Sequence, residues 1–250
     1  GTITGALAAA LSLYAYRDLG LPVWPSILCA IAAGAVIGGG LGMLMARFFL
    51  ESSVVTRSTV TIGFLVMSLA IGNRILDGSA YNFPDAFAGR SVVLFGTGVP
   101  MGSIFEVAGA ILLAIGVEQF LRRTRVGASL RAMSERPITA QLLGIPVKRL
   151  TVLVWAFSGA VSTLAVMFVL PTSTTSFPPL AYMTVYALGA ALLGLLQSLT
   201  IAAVGGVLIG MLQSIMLTTS IGQYAQAVPF VIIILVMIWW SRGDVWSERR

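Results

Sequence analysis

The side chains that most often carry enzyme chemistry are scarce in this chain of 250 residues, which has no His and one Cys. Without His, neither Ser-His-Asp nor Cys-His catalysis can operate, and nearly every zinc site that uses imidazole is excluded. Cys29 alone allows no disulfide within the chain. Lys148 is the only lysine and follows Ile145-Pro146-Val147, so no GxxxxGK[ST] phosphate loop exists. We therefore expect no enzyme, no metal and no cofactor, and another chain must bind any ATP that drives the protein.

Charged residues are also scarce, and this defines the class of protein. They make up 10% of the chain against 58% hydrophobic residues, whereas a soluble domain needs about 25% to cover its surface. The net charge of +6 is spread over short links between apolar runs, which disfavours a nucleic-acid partner. The sequence predicts an integral membrane protein that contacts the lipid bilayer.

Ionisable side chains in the middle of a membrane usually mark proton relays or ion pathways. Here Arg74 and Asp77, and likewise Glu118 and Arg122, lie near the ends of apolar runs at spacings that suit ion pairs on a helix surface. Glu106 is also close enough to a run's end to reach the interface. Because a proton relay needs a charge nearer the midplane, these positions favour a protein that moves a solute without itself supplying the energy.

Polar side chains offer weak candidates for a solute pathway. Pro171 and Pro178 enclose a Ser/Thr run that includes Thr172 and Ser173. This segment is a candidate outer mouth of a pathway or, equally, a simple exposed loop. Three amide side chains in or beside the apolar runs are further candidates: Asn73, Gln197 and Gln213. A structural hydrogen bond between helices is the alternative role for each amide.

Eight apolar runs of about 15 to 26 residues must position these side chains, and about 20 residues are needed to cross a bilayer. The runs are 2–16, 24–49, 58–76, 104–121, 151–170, 181–196, 199–217 and 225–240. Their pattern has no sustained period of two, so they are helices rather than barrel strands. The predicted fold class is all-α, a polytopic bundle of transmembrane helices forming one domain over residues 1–250.

The distribution of positive charge predicts the orientation. With eight alternating spans, twelve of the fifteen Lys and Arg residues fall on one side, and short cytoplasmic loops accumulate such residues. Both chain ends, including the C-terminus, are therefore placed in the cytoplasm. The glycine-rich stretch 95–102 is expected to be a turn-rich external loop. Because the chain starts with Gly1 and its first run is short, we expect one N-terminal span to be missing.

Glycines at intervals of four let helices in lipid approach closely. Gly34, Gly38 and Gly42 form such steps in the second run, and Gly206 and Gly210 form one in the seventh. The sequence therefore predicts close helix contacts along these two stripes.

The long internal connection 122–150 carries an ordered pattern. Val126, Leu130 and Met133 recur at i, i+4 and i+7, which is typical of an amphipathic helix. Pro137 suits the first turn of a second short helix and Gly144 its left-handed cap, with Ile138 and Leu142 forming its apolar face. Such helices can lie on anionic headgroups or insert into a groove of a soluble partner. Their basic character alone favours the headgroups.

The connection 122–150 resembles the cytoplasmic signature of the LivH-type permeases of branched-chain amino acid ABC transporters. That signature reads approximately as an Arg-rich span end, T-x-x-G, an R-A pair and A-x-x-x-G-I. It is matched without a gap by Thr124, Gly127, Arg131, Ala132, Ala140, Gly144 and Ile145. The opening GTITGALAAALSLY and the segment 187–214 also resemble the family, so the likeness covers essentially the whole chain. The tail SRGDVWSERR departs from the family's usual R-P-x-G-L-F-G.

The resemblance implies a permease subunit in the plasma (inner) membrane of a bacterium or archaeon. Its implied partners are a second related permease, two cytoplasmic ATPase subunits that bind the ATP, and a periplasmic or extracellular solute-binding protein. Its implied cargo is branched-chain or related amino acids, with urea, amides or another small polar solute as alternatives. A passive channel is the alternative from a different class. The residues implied to couple the loop to the ATPase are Gly127, Arg131, Ala132, Ala140, Gly144 and Ile145.

Overall fold

The structure, a computed structural model, describes residues 4–5, 7–11, 22–49, 52–75, 91–94, 97–135, 137–169, 182–195, 198–219 and 222–247. Residues 4–5 and 7–11 are helical. The elements that follow are α1 (Val23–Phe48), α2 (Val54–Ile75), β1 (Ser91–Leu94), β2 (Thr97–Pro100), α3 (Met101–Arg123), α4 (Arg125–Glu135), α5 (Pro137–Leu142), α6 (Val147–Val169), α7 (Tyr182–Leu193), α8 (Leu199–Leu217), a 3₁₀ helix (Gly222–Ala227) and α9 (Val228–Ser247).

The predicted all-α transmembrane bundle is confirmed. Helices α1, α2, α3, α6 and α8, and the segment Gly222–Trp239, are each long and apolar enough to cross a membrane, and they correspond to six of the eight predicted spans. Helix α7 has 12 residues, fewer than the predicted run 181–196. The first predicted span lies mostly outside the described residues.

A short antiparallel hairpin precedes α3. Strands β1 and β2 pair from Ser91 opposite Pro100 to Leu94 opposite Thr97. The prediction of a turn-rich loop over 95–102 is therefore wrong for its second part, because β2 ends at Pro100 and α3 begins at Met101. The physical reason is that valine and threonine favour a pleated strand, and here their preference outweighs the turn preference of the glycines.

The chain forms two compact units, and the first consists of Gly1–Glu106 with Thr124–Ala181. Within it, α1 packs along α6 through the predicted glycine stripe. A Cβ at Gly38 would collide with the carbonyl oxygen of Trp155, and one at Gly42 would lie 2.6 Å from the Trp155 Cβ. The first stripe is therefore confirmed, and the two helix backbones are in direct contact.

The second unit consists of Val107–Arg123 with Tyr182–Arg250, and in it α7 packs against α8 and α9. The predicted stripe in α8 has the wrong register. No described atom lies within 4 Å of a Cβ at Gly210, and Gly206 makes only ordinary van der Waals contact. Instead, a Cβ at Gly205 would lie 2.9 Å from the Leu193 Cδ1, and Gly205 and Ile209 are buried. Adjacent residues on a helix point about 100° apart. The packing of Leu193 against α8 therefore places Gly205, not Gly206, in the close contact.

Candidate functional site

Thr124 fixes the start of α4 as its N-cap. Its Oγ1 accepts a hydrogen bond from the Gly127 N–H at 3.0 Å, and its carbonyl accepts one from the Ala128 N–H at 3.0 Å. Such a cap satisfies a backbone donor that the first helical turn would otherwise leave open. Gly127 itself is buried. The T-x-x-G pattern is therefore an N-cap followed by a close-packed glycine, and the first predicted loop helix is confirmed.

The second loop helix, α5, begins at Pro137 and ends on a glycine cap. Gly144 has φ +80°. Its N–H donates to the Gln141 carbonyl at 3.0 Å, and the Ile145 N–H donates to the Ala140 carbonyl at 3.0 Å. This pair of bonds is a Schellman motif, which needs a left-handed residue. The predicted helix and its cap at Gly144 are therefore confirmed, and the chain continues from them into α6.

The six residues implied to couple to an ATPase lie on α4, on α5 and in the cap, but they differ in exposure. Gly127 and Ala140 are buried, Ala132 and Ile145 are half-buried, and Arg131 and Gly144 are exposed. The two most buried residues thus face the interior of the chain itself. A surface that meets a partner must include other side chains.

Three large apolar side chains at the end of the loop are strongly exposed. The exposed fraction is 63% for Ile138, 84% for Leu142 and 76% for Leu143. Beyond the glycine cap, by contrast, Val147 and Leu150 are buried. Ile138 and Leu142 were predicted as the apolar face of α5, and Leu143 was missed. Its signal was present in the sequence as a second leucine directly before the cap glycine.

A groove of about 450 Å³ lies beside the loop in the first unit. Its walls come from the last turn of α4, from Pro137 and from the adjacent ends of α1, α2 and α6. Met133, predicted on the apolar stripe of α4, lines it together with Trp155 of α6. Arg57 and Glu135 add opposite charges to a lining that is otherwise largely apolar.

The predicted pathway residues are not brought together by the described part of the structure. Asn73 is exposed on α2. The Gln213 Nε2 donates to the Tyr186 hydroxyl at 3.1 Å, a bond between α8 and α7 of the kind that joins helices in membranes. Thr172, Ser173 and Gln197 lie outside the described residues.

A polar cluster surrounds Glu118, near the end of α3. Only its ion pair with Arg122 was predicted from the sequence. The predicted ion pair with Arg122 is confirmed at 2.8 Å between Nη2 and the carboxylate. The carboxylate also accepts hydrogen bonds from the Thr200 hydroxyl at 2.6 Å, the Thr200 N–H at 2.9 Å and the Ser198 hydroxyl at 3.2 Å. Ser198 is the N-cap of α8 and accepts from the Ile201 N–H at 3.3 Å. Glu118 therefore places a carboxylate at the N-terminus of α8, where the helix dipole favours negative charge.

Three hydrogen bonds join the Glu118 carboxylate to Thr200 and Ser198 at the start of α8. The Arg122 side chain is 70% exposed, and an exposed ion pair adds little to stability because water screens it. No group of three His, Cys, Asp or Glu side chains that could hold a metal occurs among the described residues. The Ser-Leu-Thr start of α8 is an N-cap signal in the sequence, but it does not reveal which carboxylate joins it.

The apolar spans and the capped loop between two of them define a polytopic membrane protein with a structured connection between spans. The chain belongs to the family described as the permease component of branched-chain amino acid transport systems, which matches residues 2–237. It is therefore a transport permease, and the resemblance to LivH-type permeases is confirmed at the level of the family.

Curated relatives within this family differ in the solute they are named for. The ribose import permease protein RbsC of Haemophilus influenzae is 28% identical over 249 residues, covering 94% of this chain and 72% of that protein. The fructose import permease protein FruF of Bifidobacterium longum is 28% identical over 151 residues, covering 60% of this chain and 40% of the relative. The probable branched-chain amino acid permease LivH of Methanocaldococcus jannaschii is 40% identical over 80 residues, covering 32% and 24%. No solved structure matches the chain.

Proposed function

We propose that this chain is the permease subunit of an ABC importer for branched-chain or related amino acids. A second related permease completes the pathway, two cytoplasmic ATPase subunits bind the ATP, and a solute-binding protein delivers the cargo from outside the plasma membrane. The observation that carries the coupling mode is the loop formed by α4 and α5, which is capped at both ends and exposes apolar side chains. This loop belongs to a chain whose sequence has no phosphate loop.

We propose that Ile138, Leu142 and Leu143 form the surface that docks on the ATPase, and we call these three residues the docking tip. Apolar anchors on a short helix suit a hydrophobic groove on a partner. Exposed cations flank the tip in sequence, with Arg131 before it and Lys148 and Arg149 after it. Complementary charge favours a groove with an acidic rim. The occupant we propose is therefore an ATPase groove that is apolar at its centre and acidic at its edge.

The other coupling residues support the docking tip from within the chain. Gly127 and Ala140 are small and buried, so they allow each loop helix to pack closely within the chain. Gly144 sets the turn between the docking tip and α6. Because α6 is in backbone contact with α1, a push on the tip displaces the two spans together, in the manner of a rigid-body switch.

Docking is tested on the complete complex reconstituted in lipid. The variant Leu142→Ser with Leu143→Ser removes two anchors, and we expect it to lower ATPase association and substrate-stimulated ATP hydrolysis at least tenfold. Gln141→Ala, on the same exposed helix, is the matched control. Arg131→Glu should weaken association less than the double variant does. Its effect should be larger at low salt than at high salt, because salt screens exposed charges. If the double variant binds the ATPase normally, the docking assignment is wrong, and contact with lipid headgroups becomes the better interpretation.

The cargo is tested separately. The loop signature and the 40% identical LivH segment favour amino acids, whereas the ribose permease matches more of the chain, 94% of it, and makes a sugar the second candidate. Uptake of radiolabelled leucine by cells that express the whole system should be abolished by unlabelled isoleucine and unaffected by ribose. Uptake of radiolabelled ribose without uptake of leucine would assign a sugar, and uptake of radiolabelled urea or an amide without uptake of leucine would assign that solute. Uptake without ATP would instead indicate a passive channel.

A further inference from the structure

Glu118 lies just before the point where the chain leaves the second unit and enters the loop. Helix α3 ends at Arg123, and the next residue, Thr124, caps α4. Glu118 is six residues before that cap, or about 9 Å along the helix axis at 1.5 Å per residue. A displacement of the loop therefore reaches Glu118 through little more than one and a half turns of continuous helix.

Little of helix α3 is buried within the described structure. Ala114 is its one buried residue, and only 6% of its most apolar stretch is buried inside the described structure. Against that background, the bonds from Thr200 and Ser198 to Glu118 fix a definite point of α3 to the start of α8.

The start of α8 is in turn joined tightly to the end of α7. Leu195 has φ +51° in the intervening turn, and the Ser198 N–H donates to the Gly194 carbonyl at 3.1 Å. A Cβ at Gly194 would lie only 2.5 Å from the Ser198 carbonyl oxygen. Because there is no room for these backbones to slide, a pull on Ser198 and Thr200 moves the α7–α8 pair as one body.

We infer that Glu118 is a positioning residue that passes a displacement of the α4–α5 loop to the α7–α8 pair. This inference rests on the proposed coupling of the loop to an ATPase and adds a second route into the membrane beside α6. The carboxylate acts through hydrogen bonds to Thr200 and Ser198, and the exposed Arg122 orients it from within α3.

The test measures solute molecules taken up per ATP hydrolysed by the reconstituted importer. We expect Glu118→Ala to lower this ratio about tenfold while hydrolysis stays within twofold of the parent. Glu118→Gln keeps an oxygen for the Thr200 donors and should recover at least half of the ratio. If Glu118→Ala does not assemble, Thr200→Val is the variant to measure. It deletes only the hydroxyl bond and should give an intermediate loss of the ratio. Gln119→Ala, exposed on the next position of α3, is the matched control.

The outcomes separate this inference from the proposed function. A merely structural role would lower the amount of complex, so that uptake and hydrolysis fall together at a constant ratio, and that result would overturn the inference. The same holds if Glu118→Ala and Thr200→Val both transport with the parent ratio. If the parent complex neither transports nor hydrolyses ATP in response to solute, the proposed function itself fails, whatever the variants do.

Discussion

At the scale of single residues, the contact between α1 and α6 depends on glycines, which have no side chain to hold the two backbones apart. A Cβ at Gly38 would meet the carbonyl oxygen of Trp155, a backbone atom that cannot rotate away. We therefore expect Gly38→Ala to lower the free energy of unfolding by about 1–3 kcal/mol, the usual cost of overpacking. Thermal unfolding of the purified permease in detergent measures this loss.

Gly40 supplies the matched control for that substitution. It lies on the same helix, and no described atom lies within 4 Å of a Cβ placed there. Alanine favours a helix over glycine by up to about 1 kcal/mol, so Gly40→Ala should leave the unfolding temperature unchanged or raise it. Equal destabilisation by the two variants would show that helix contact is not what Gly38 provides.

The residues that sequence reasoning placed correctly are those whose partners lie close by in the chain. Thr124 and Gly144 follow from local backbone chemistry, because a cap needs only its own helix. Gly206 was wrongly chosen over Gly205 because two adjacent glycines look alike until Leu193 packs against one of them. The bond from Thr200 to Glu118 spans 82 positions, and nothing local encodes it.

At the scale of elements, α4 depends on its cap because the helix is short, with 11 residues. We expect Thr124→Ala to cost about 0.5–2 kcal/mol of local stability, since the Gly127 N–H loses its acceptor. Hydrogen exchange followed by mass spectrometry should show faster exchange at Gly127 and Ala128, by about fivefold for each kcal/mol lost. Thr124→Ser keeps the hydroxyl and should exchange at the parent rate. Unchanged exchange in Thr124→Ala would mean that packing, not the cap, holds the first turn.

At the scale of the whole molecule, the docking proposal depends on an orientation that the asymmetry of positive charge predicts. The loop between α3 and α6 must face the cytoplasm to reach an ATPase, and the hairpin before α3 must then face outward. Cys29 is the only cysteine, so Cys29→Ser gives a background for single labels. Ser134 on α4 and Pro100 at the end of β2 are both exposed. Ser134→Cys and Pro100→Cys therefore each provide one accessible label site.

A membrane-impermeant maleimide applied to spheroplasts should label Pro100→Cys at once and Ser134→Cys only after the membrane is permeabilised. The physical reason is that Lys and Arg resist transfer across the bilayer, so the segments richest in them stay inside. The Cys29→Ser parent, which must remain unlabelled throughout, is the control. Labelling of Ser134→Cys in sealed spheroplasts would turn the docking tip outward, where no ATP-binding subunit could reach it. That single result would remove both the docking surface and the role inferred for Glu118, while leaving the fold and the family unaffected.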